Sequence, residues 1–486
     1  MQPSTAAVST AQGLAAPGGA IPGGAIPGGA IPGGAIPGGA IHGLAIHGAT
    51  PPVPGLIWAL PFAGLLACFA LLPIVAPRWW HKRQGWVAAG WALAWLLPQA
   101  ASAGPVAAAA LAWQEVLGSY LPFITLLLAL YAAGGGVLVR GGFRGTPAGN
   151  TAMLAVGTLA AGVMGTTAAA MVLIHPLLRA NAHRQHKLHL VLGFIVLVAN
   201  AGGALSPLGP PLYLGFLRGV GFFWPALRLG PPLALMAGFV LVAVWAIDRR
   251  LARDEPLPAP PRERFRLRGT GNLVLILAVG ATVFAEALIH AGTLRVAGAT
   301  IPTARFAATG VFLVATALSA GLTPRAVHQG NDFSWRPMAE VAWFFLALFL
   351  TLEPVLRMLA AGPAGPFAPL LALATDPAGQ PRPAVLFWVT GGLSAVLDNA
   401  PSYLVAWGVA GIRPEALTGG ADHALEAISG GAVFFGGLTY LGNAPNLMLR
   451  AIASHRGVRM PGFLVYAAWA ATLLVPVLVV LSLVWM

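Results

Sequence analysis

The sequence predicts an all-α polytopic membrane protein made of two inverted repeats. Each repeat has five transmembrane helices plus one re-entrant hairpin, with broken helices near the midplane. Three observations predict this fold. Of 486 residues, 57% are hydrophobic and 8% are charged, against about 25% charged in a typical soluble domain. Charge-free stretches of about 20 residues, enough to span a bilayer, recur from residue 51 onward. A Gly/Pro-rich pattern occurs twice, in the same order, in the two halves of the chain. The composition excludes an ordinary soluble enzyme, because too few charges exist to coat its surface. The net charge is +13, but the chain is too apolar for a soluble basic nucleic-acid binder. One cysteine, Cys68, excludes a disulfide framework and any multi-Cys metal site.

Residues 1–50 stand apart from the rest. Five copies of Pro-Gly-Gly-Ala-Ile run from Pro17 to Ile41. Proline at every fifth position forbids a helix, and paired glycines make ordering costly. The tail reads as disordered low complexity. It lacks the basic start and continuous apolar core of a signal peptide. No Met lies between Met1 and Met153, so repeat expansion and a start codon placed too early both fit.

The expected spans are 56–76, 84–101, 119–139, 190–217, 229–247, 271–291, 306–322, 337–359, 427–449 and 461–486. Loop charge orients them. With the first loop inside, 20 of the 27 basic residues fall on inner loops. The other seven (Arg218, Arg228, Arg295, Arg305, Arg357, Arg382 and Arg413) fall outside. Both termini then lie outside.

Two apolar stretches do not fit as single crossings. Residues 150–178 have basic clusters on both flanks, so one crossing would put a cluster on the wrong side. A hairpin that enters and leaves on the inner side satisfies both. Residues 383–412 lie between outer loops and read as a second hairpin, from the outer face. Irregular backbone at such depth needs protein or water around it.

Matching segments follow the hairpins. Gly202-Gly-Ala-Leu-Ser-Pro-Leu-Gly-Pro-Pro-Leu212 begins 37 residues after Gly165. Gly436-Gly-Leu-Thr-Tyr-Leu-Gly-Asn-Ala-Pro-Asn446 begins 38 residues after Asp398. Five crossings per half is an odd number, so the halves are inverted. The first membrane repeat covers 51–247, a charged cytoplasmic linker 248–270 and the second repeat 271–486. Paired inverted repeats with broken helices are a secondary-transporter signature. The plainer reading, that Gly/Pro runs only pack helices closely, does not require the pairing.

At these residues the chain resembles the bacterial sodium:proton antiporters related to citrate transporters, in the ion transporter superfamily. The resemblance spans roughly residues 55–486. Its motifs include Gly165-Thr-Thr-Ala168, the stretches 200–224 and 438–450, Asn331-Asp-Phe-Ser-Trp-Arg-Pro337 and Leu397-Asp-Asn-Ala-Pro-Ser-Tyr403. It implies two symmetry-related ion sites at the hairpin tips and broken helices, beside a substrate site. The family pattern places an Asp between Gly and Pro-Pro in the first broken helix. Here Gly209 runs directly into Pro210, which implies a weakened or lost first cation site.

Asp398 is the sharpest candidate for the chemistry. It is the only acid between Asp376 and Glu415. A membrane-embedded carboxylate is costly unless paired or solvated, and it can hold Na⁺ or take a proton. The alternative is that it caps a half-helix. Asn399, Asn443 and Asn446 offer neutral oxygens for Na⁺ or amides for a carboxylate. Thr166, Thr167, Ser206 and Thr439 supply hydroxyls at matching places, or merely bond helix backbone. Glu286 and His290 lie one turn apart and could relay protons or pair with each other; Glu340 is a further embedded or edge acid. His175 is a proton carrier or a partner for backbone freed by Pro176.

No phosphate-binding loop, Gly-x-Ser-x-Gly or His-Glu-x-x-His motif appears. ATP-driven transport and an intramembrane enzyme are therefore poorly supported. The expected function is Na⁺/H⁺ antiport by alternating access, with Na⁺ and H⁺ as cargo and no cofactor. The alternatives are a H⁺- or Na⁺-coupled citrate or dicarboxylate carrier, and a non-transporting membrane scaffold. Expected partners are membrane lipids and small cations or organic anions, with a homodimer as the one assembly considered. The expected location is a bacterial inner membrane.

Overall fold

A computed structural model describes residues 54–486 apart from 142, 256–264, 290, 378–379 and 413–419. The repetitive tail, His290 and part of the expected linker therefore lie outside the described residues. The described chain is mostly helical. In order come α1 (Leu60–Val75), α2 (Pro77–Ala103), α3 (Pro105–Glu115) and α4 (Leu121–Gly135). A π-helical turn, Val116–Tyr120, joins the last two. Next follow α5 (Pro147–Met164), α6 (Thr166–Ala180), α7 (Leu188–Leu197), α8 (Pro210–Phe216) and α9 (Trp224–Leu251). The second half holds α10 (Thr270–Leu288), α11 (Thr303–Leu322), α12 (Arg325–Gly330), α13 (Arg336–Ala360) and α14 (Ala368–Ala374). It ends with α15 (Pro383–Leu397), α16 (Asn399–Ala410), α17 (Gly420–Phe434), α18 (Ala444–His455) and α19 (Phe463–Trp485). Strand Leu138–Arg140 pairs antiparallel with Arg266–Arg268, and Thr293–Val296 pairs with Ala299–Pro302.

Among the described residues, seven helical stretches are long and apolar enough to cross a membrane. The other three expected spans depart for local reasons. The first contains only a shorter apolar helix, Leu56–Phe69. The second lies inside α2, where Gln84, Pro98 and Gln99 interrupt its apolar run. The span at 427–449 is broken between α17 and α18.

Burial separates centre from rim. The broken stretch Leu188–Phe216 is 89% buried, whereas Thr270–Leu288 is 22% buried. The broken helices thus form the core, and α9, α10, α11 and α19 present large apolar side chains outward. The central packing pairs α15 with α17, α4 with α11, and α5 with the turn after α7.

Both expected hairpins are helix pairs joined by one residue. α5 packs on α6 across Gly165, and α15 packs on α16 across Asp398. Each broken span has the same local plan. A 3₁₀ turn (Ala201–Leu205 or Phe435–Leu438) leads to a hydroxyl residue in extended conformation, Ser206 or Thr439. A helix with proline in its first turn then resumes.

Candidate functional site

The second hairpin tip is built around a strained residue. Asp398 has φ 94° and ψ 152°. Side chains rarely adopt this conformation, which costs of order 1–3 kcal/mol unless the surroundings enforce it. Its side chain is buried, at 8% exposure. Its Oδ1 accepts from the Ala400 backbone N–H at 3.2 Å, capping α16. The Ser402 hydroxyl donates to the Asp398 carbonyl at 2.8 Å. The capping role is therefore present.

Asn399 fastens the tip to the second broken segment. With its amide oriented to satisfy its neighbours, it donates to Ser394 Oγ (2.8 Å), Ala432 O (3.0 Å) and Gly442 O (2.5 Å). Thr439 Oγ1 donates to Ala395 O and accepts from the N–H groups of Leu441 and Gly442. Close approach requires glycine at 436. A side chain there would start 2.3 Å from the Asn399 side-chain amide and 2.4 Å from Asn200 Oδ1.

Asn200 is a residue that sequence reasoning passed over. It lies between α7 and the first 3₁₀ turn and reaches into the second half. Its Nδ2 donates to Asn446 Oδ1 at 2.9 Å and to Ile195 O at 2.8 Å. Asn443 Nδ2 donates back to Ala199 O (2.9 Å) and Asn200 Oδ1 (3.2 Å). Asn446 Nδ2 donates to Gly436 O and Thr439 O. The three amides are at most 3% exposed. An amide in an otherwise apolar window was the available signal. Three of the expected neutral ligands, Asn399, Asn443 and Asn446, thus hold the broken segments together.

The first tip repeats the geometry without the charge. Gly165 has φ 77° and ψ 153°. Thr166 follows it, 3% exposed, and its hydroxyl has no hydrogen-bond partner. Its methyl faces Gly203, where a Cβ would lie 2.8 Å away. Thr167 is half-buried beside it. Ser206 Oγ accepts from Leu208 N–H at 3.2 Å.

The remaining candidates lie elsewhere. Glu286 pairs with Arg305 (3.3 Å), whose Nη2 also donates to Leu217 O at the end of α8. Glu340 pairs with Arg336 at 3.2 Å, one turn away on α13. His175 is 1% exposed and stands 3.9 Å from Asp332.

A second polar cluster joins the base of the first hairpin to the end of α9. Asp248, fully buried, accepts from Asn150 Nδ2 (2.8 Å) and pairs with Arg184 (2.5 Å) and His189 (2.9 Å). Asn181 exchanges hydrogen bonds with Asn150. Glu255 takes Arg184 Nε (2.7 Å) and the N–H groups of Gln185 and His186. Burial opposes its ionisation, but these donors hold the Glu255 carboxyl below its ordinary range.

A family model described as "Putative citrate transport" matches residues 53–486. No curated protein matches the chain.

Proposed function

Because the chain belongs to this citrate-transport family, we infer that it is a secondary active transporter and propose that it exchanges Na⁺ for H⁺ by alternating access. Its apolar helices and its family make it an integral multi-pass membrane protein. The observation that carries the exchange reading is Asp398. A buried carboxylate occupies a glycine-type conformation at a hairpin tip, where glycine itself would be easier. Strain kept at one position is a pointer to function. In this reading the carboxylate binds Na⁺ through oxygen and takes a proton when Na⁺ leaves. Competition of the two cargoes at one group couples their movements. Asn399 beside it and the amides of Asn200, Asn443 and Asn446 are spent on protein hydrogen bonds, so Asp398 brings the charge. The halves act as inverted repeats that rock about this centre, in a bacterial inner membrane with the basic-rich loops inside.

A second reading has its own support. The family description names citrate. Helices α6, α8, α16 and α18 all begin at the breaks, and helix N-termini attract anions. A H⁺- or Na⁺-coupled citrate or dicarboxylate carrier would use those ends for the carboxylates. Proteoliposomes separate the readings. Antiport predicts Na⁺-driven proton movement with no organic anion. Uptake of labelled citrate or succinate without that movement would reject it. Vesicles in which neither occurs would favour a scaffold.

A further inference from the structure

An apolar cavity, open to the surface, lies between α14 and the two arms of the second hairpin. Its walls include Leu373, Ala374, Leu386, Val389 and Ala406. Thr390 is the only lining residue with a polar side-chain atom. That side chain is fully buried, and its hydroxyl has no hydrogen-bond partner. Water needs two to four polar partners to settle in such a space, so the cavity suits an apolar occupant. Leu373 (66% exposed) and Val389 (45% exposed) open its mouth to the surface. In a membrane-spanning chain, lipid tails are the medium in front of an apolar surface.

One end of the cavity adjoins a turn that carries Arg382 together with Asp376. Ala374, in the wall, accepts the backbone N–H of Arg382 at 2.8 Å. Arg382 is the exposed N-cap residue of α15. Arg382 and the positive end of a 15-residue helix thus follow directly on the wall of the apolar space. Both favour a phosphate.

We propose that this cavity is a binding site for one anionic phospholipid, with an acyl chain between α14, α15 and α16 and the headgroup phosphate on Arg382. The occupant fills space that would otherwise leave the walls without contacts. It also braces the two arms that carry Asp398 at their tip. One basic residue at a membrane surface contributes about 1 kcal/mol toward an anionic lipid, which is about a fivefold preference.

The test uses the purified full-length chain, delipidated and then offered mixed phosphatidylglycerol and phosphatidylcholine. Native mass spectrometry reads the lipid retained. One phosphatidylglycerol per chain is expected, preferred about fivefold. Ala406→Phe should fill the cavity and lower retention at least tenfold. Arg382→Gln should keep a lipid but level the two headgroups. Unchanged retention by Ala406→Phe, or no headgroup preference in the wild type, would overturn the proposal. Should Ala406→Phe not fold, phosphatidylglycerol with a photoreactive acyl chain is applied to the wild type. Labelling within 368–410 supports the site, and labelling spread over other helices overturns it.

Discussion

At Gly165 and at Asp398 the chain turns through nearly the same backbone angles, 77°/153° and 94°/152°. In the first half glycine occupies the turn, and no strain arises. In the second half an aspartate is held there against its own preference. The surroundings differ in step. A Cβ on Gly165 would meet Leu130 Cδ1 and Leu208 O, each at 3.0 Å. The second tip has room for its carboxylate and uses one oxygen to cap α16. The two halves thus share a scaffold, and only one carries an ionisable group at the tip.

The largest expected effect lies at the charged tip. Asp398→Asn keeps an oxygen for the Ala400 cap but removes the charge. Calorimetric Na⁺ affinity should fall at least about 100-fold, the upper end of what even outer-shell changes cost at a metal site. Undiminished Na⁺ binding would erase the functional difference between the tips. The reverse exchange sharpens the comparison. Gly165→Asp should lower stability by about 2–3 kcal/mol, from positive φ and the contact with Leu208 O. It should not add a second Na⁺ per chain in the same titration.

The seam between the halves comes next. Asn200→Ala leaves buried Asn446 Oδ1 without this donor and removes one of the two acceptors of Asn443 Nδ2. A loss of about 1–3 kcal/mol follows for a buried group left without a partner, read by chemical unfolding. Asp398→Gly should go the other way, by about 1 kcal/mol. It relieves strain of 1–3 kcal/mol, while glycine in place of a good N-cap costs about a few tenths. Its melting temperature should rise while transport disappears. A fall in melting temperature would mean that the capping bond outweighs the strain.

The smallest effect concerns Glu255. Its carboxyl is held below the ordinary value of 4.5 when folded. Its contribution to stability is therefore full above that value and lost as pH falls through the lower folded one. Glu255→Gln should narrow the gap in stability between pH 7 and pH 3 relative to wild type. An unchanged gap would show that Arg184 and the two N–H groups do not favour its ionised form.

Much of this was legible beforehand. Basic clusters on both flanks of 150–178 and the place of 383–412 between outer loops pointed to the helix pairs, and the paired Gly/Pro runs pointed to the broken spans. Charge and backbone punctuation are local, so one sequence carries them. The amide seam was not legible, because Asn200 and Asn446 meet across 246 positions. Asp248 read as a linker charge for the same reason: its partners Asn150 and His189 lie 98 and 59 residues away. Nor did composition reveal that Asn399, Asn443 and Asn446 would spend their amides on backbone, since a ligand and a clamp use the same side chain.

The central claim is that Asp398 couples Na⁺ to H⁺. Its most direct test is the decay of an imposed proton gradient in proteoliposomes on adding Na⁺, with wild-type protein and Asp398→Asn side by side. Coupling at Asp398 predicts rapid Na⁺-dependent decay with wild type and none above empty vesicles with the variant at equal insertion. Equal decay with both proteins would contradict it.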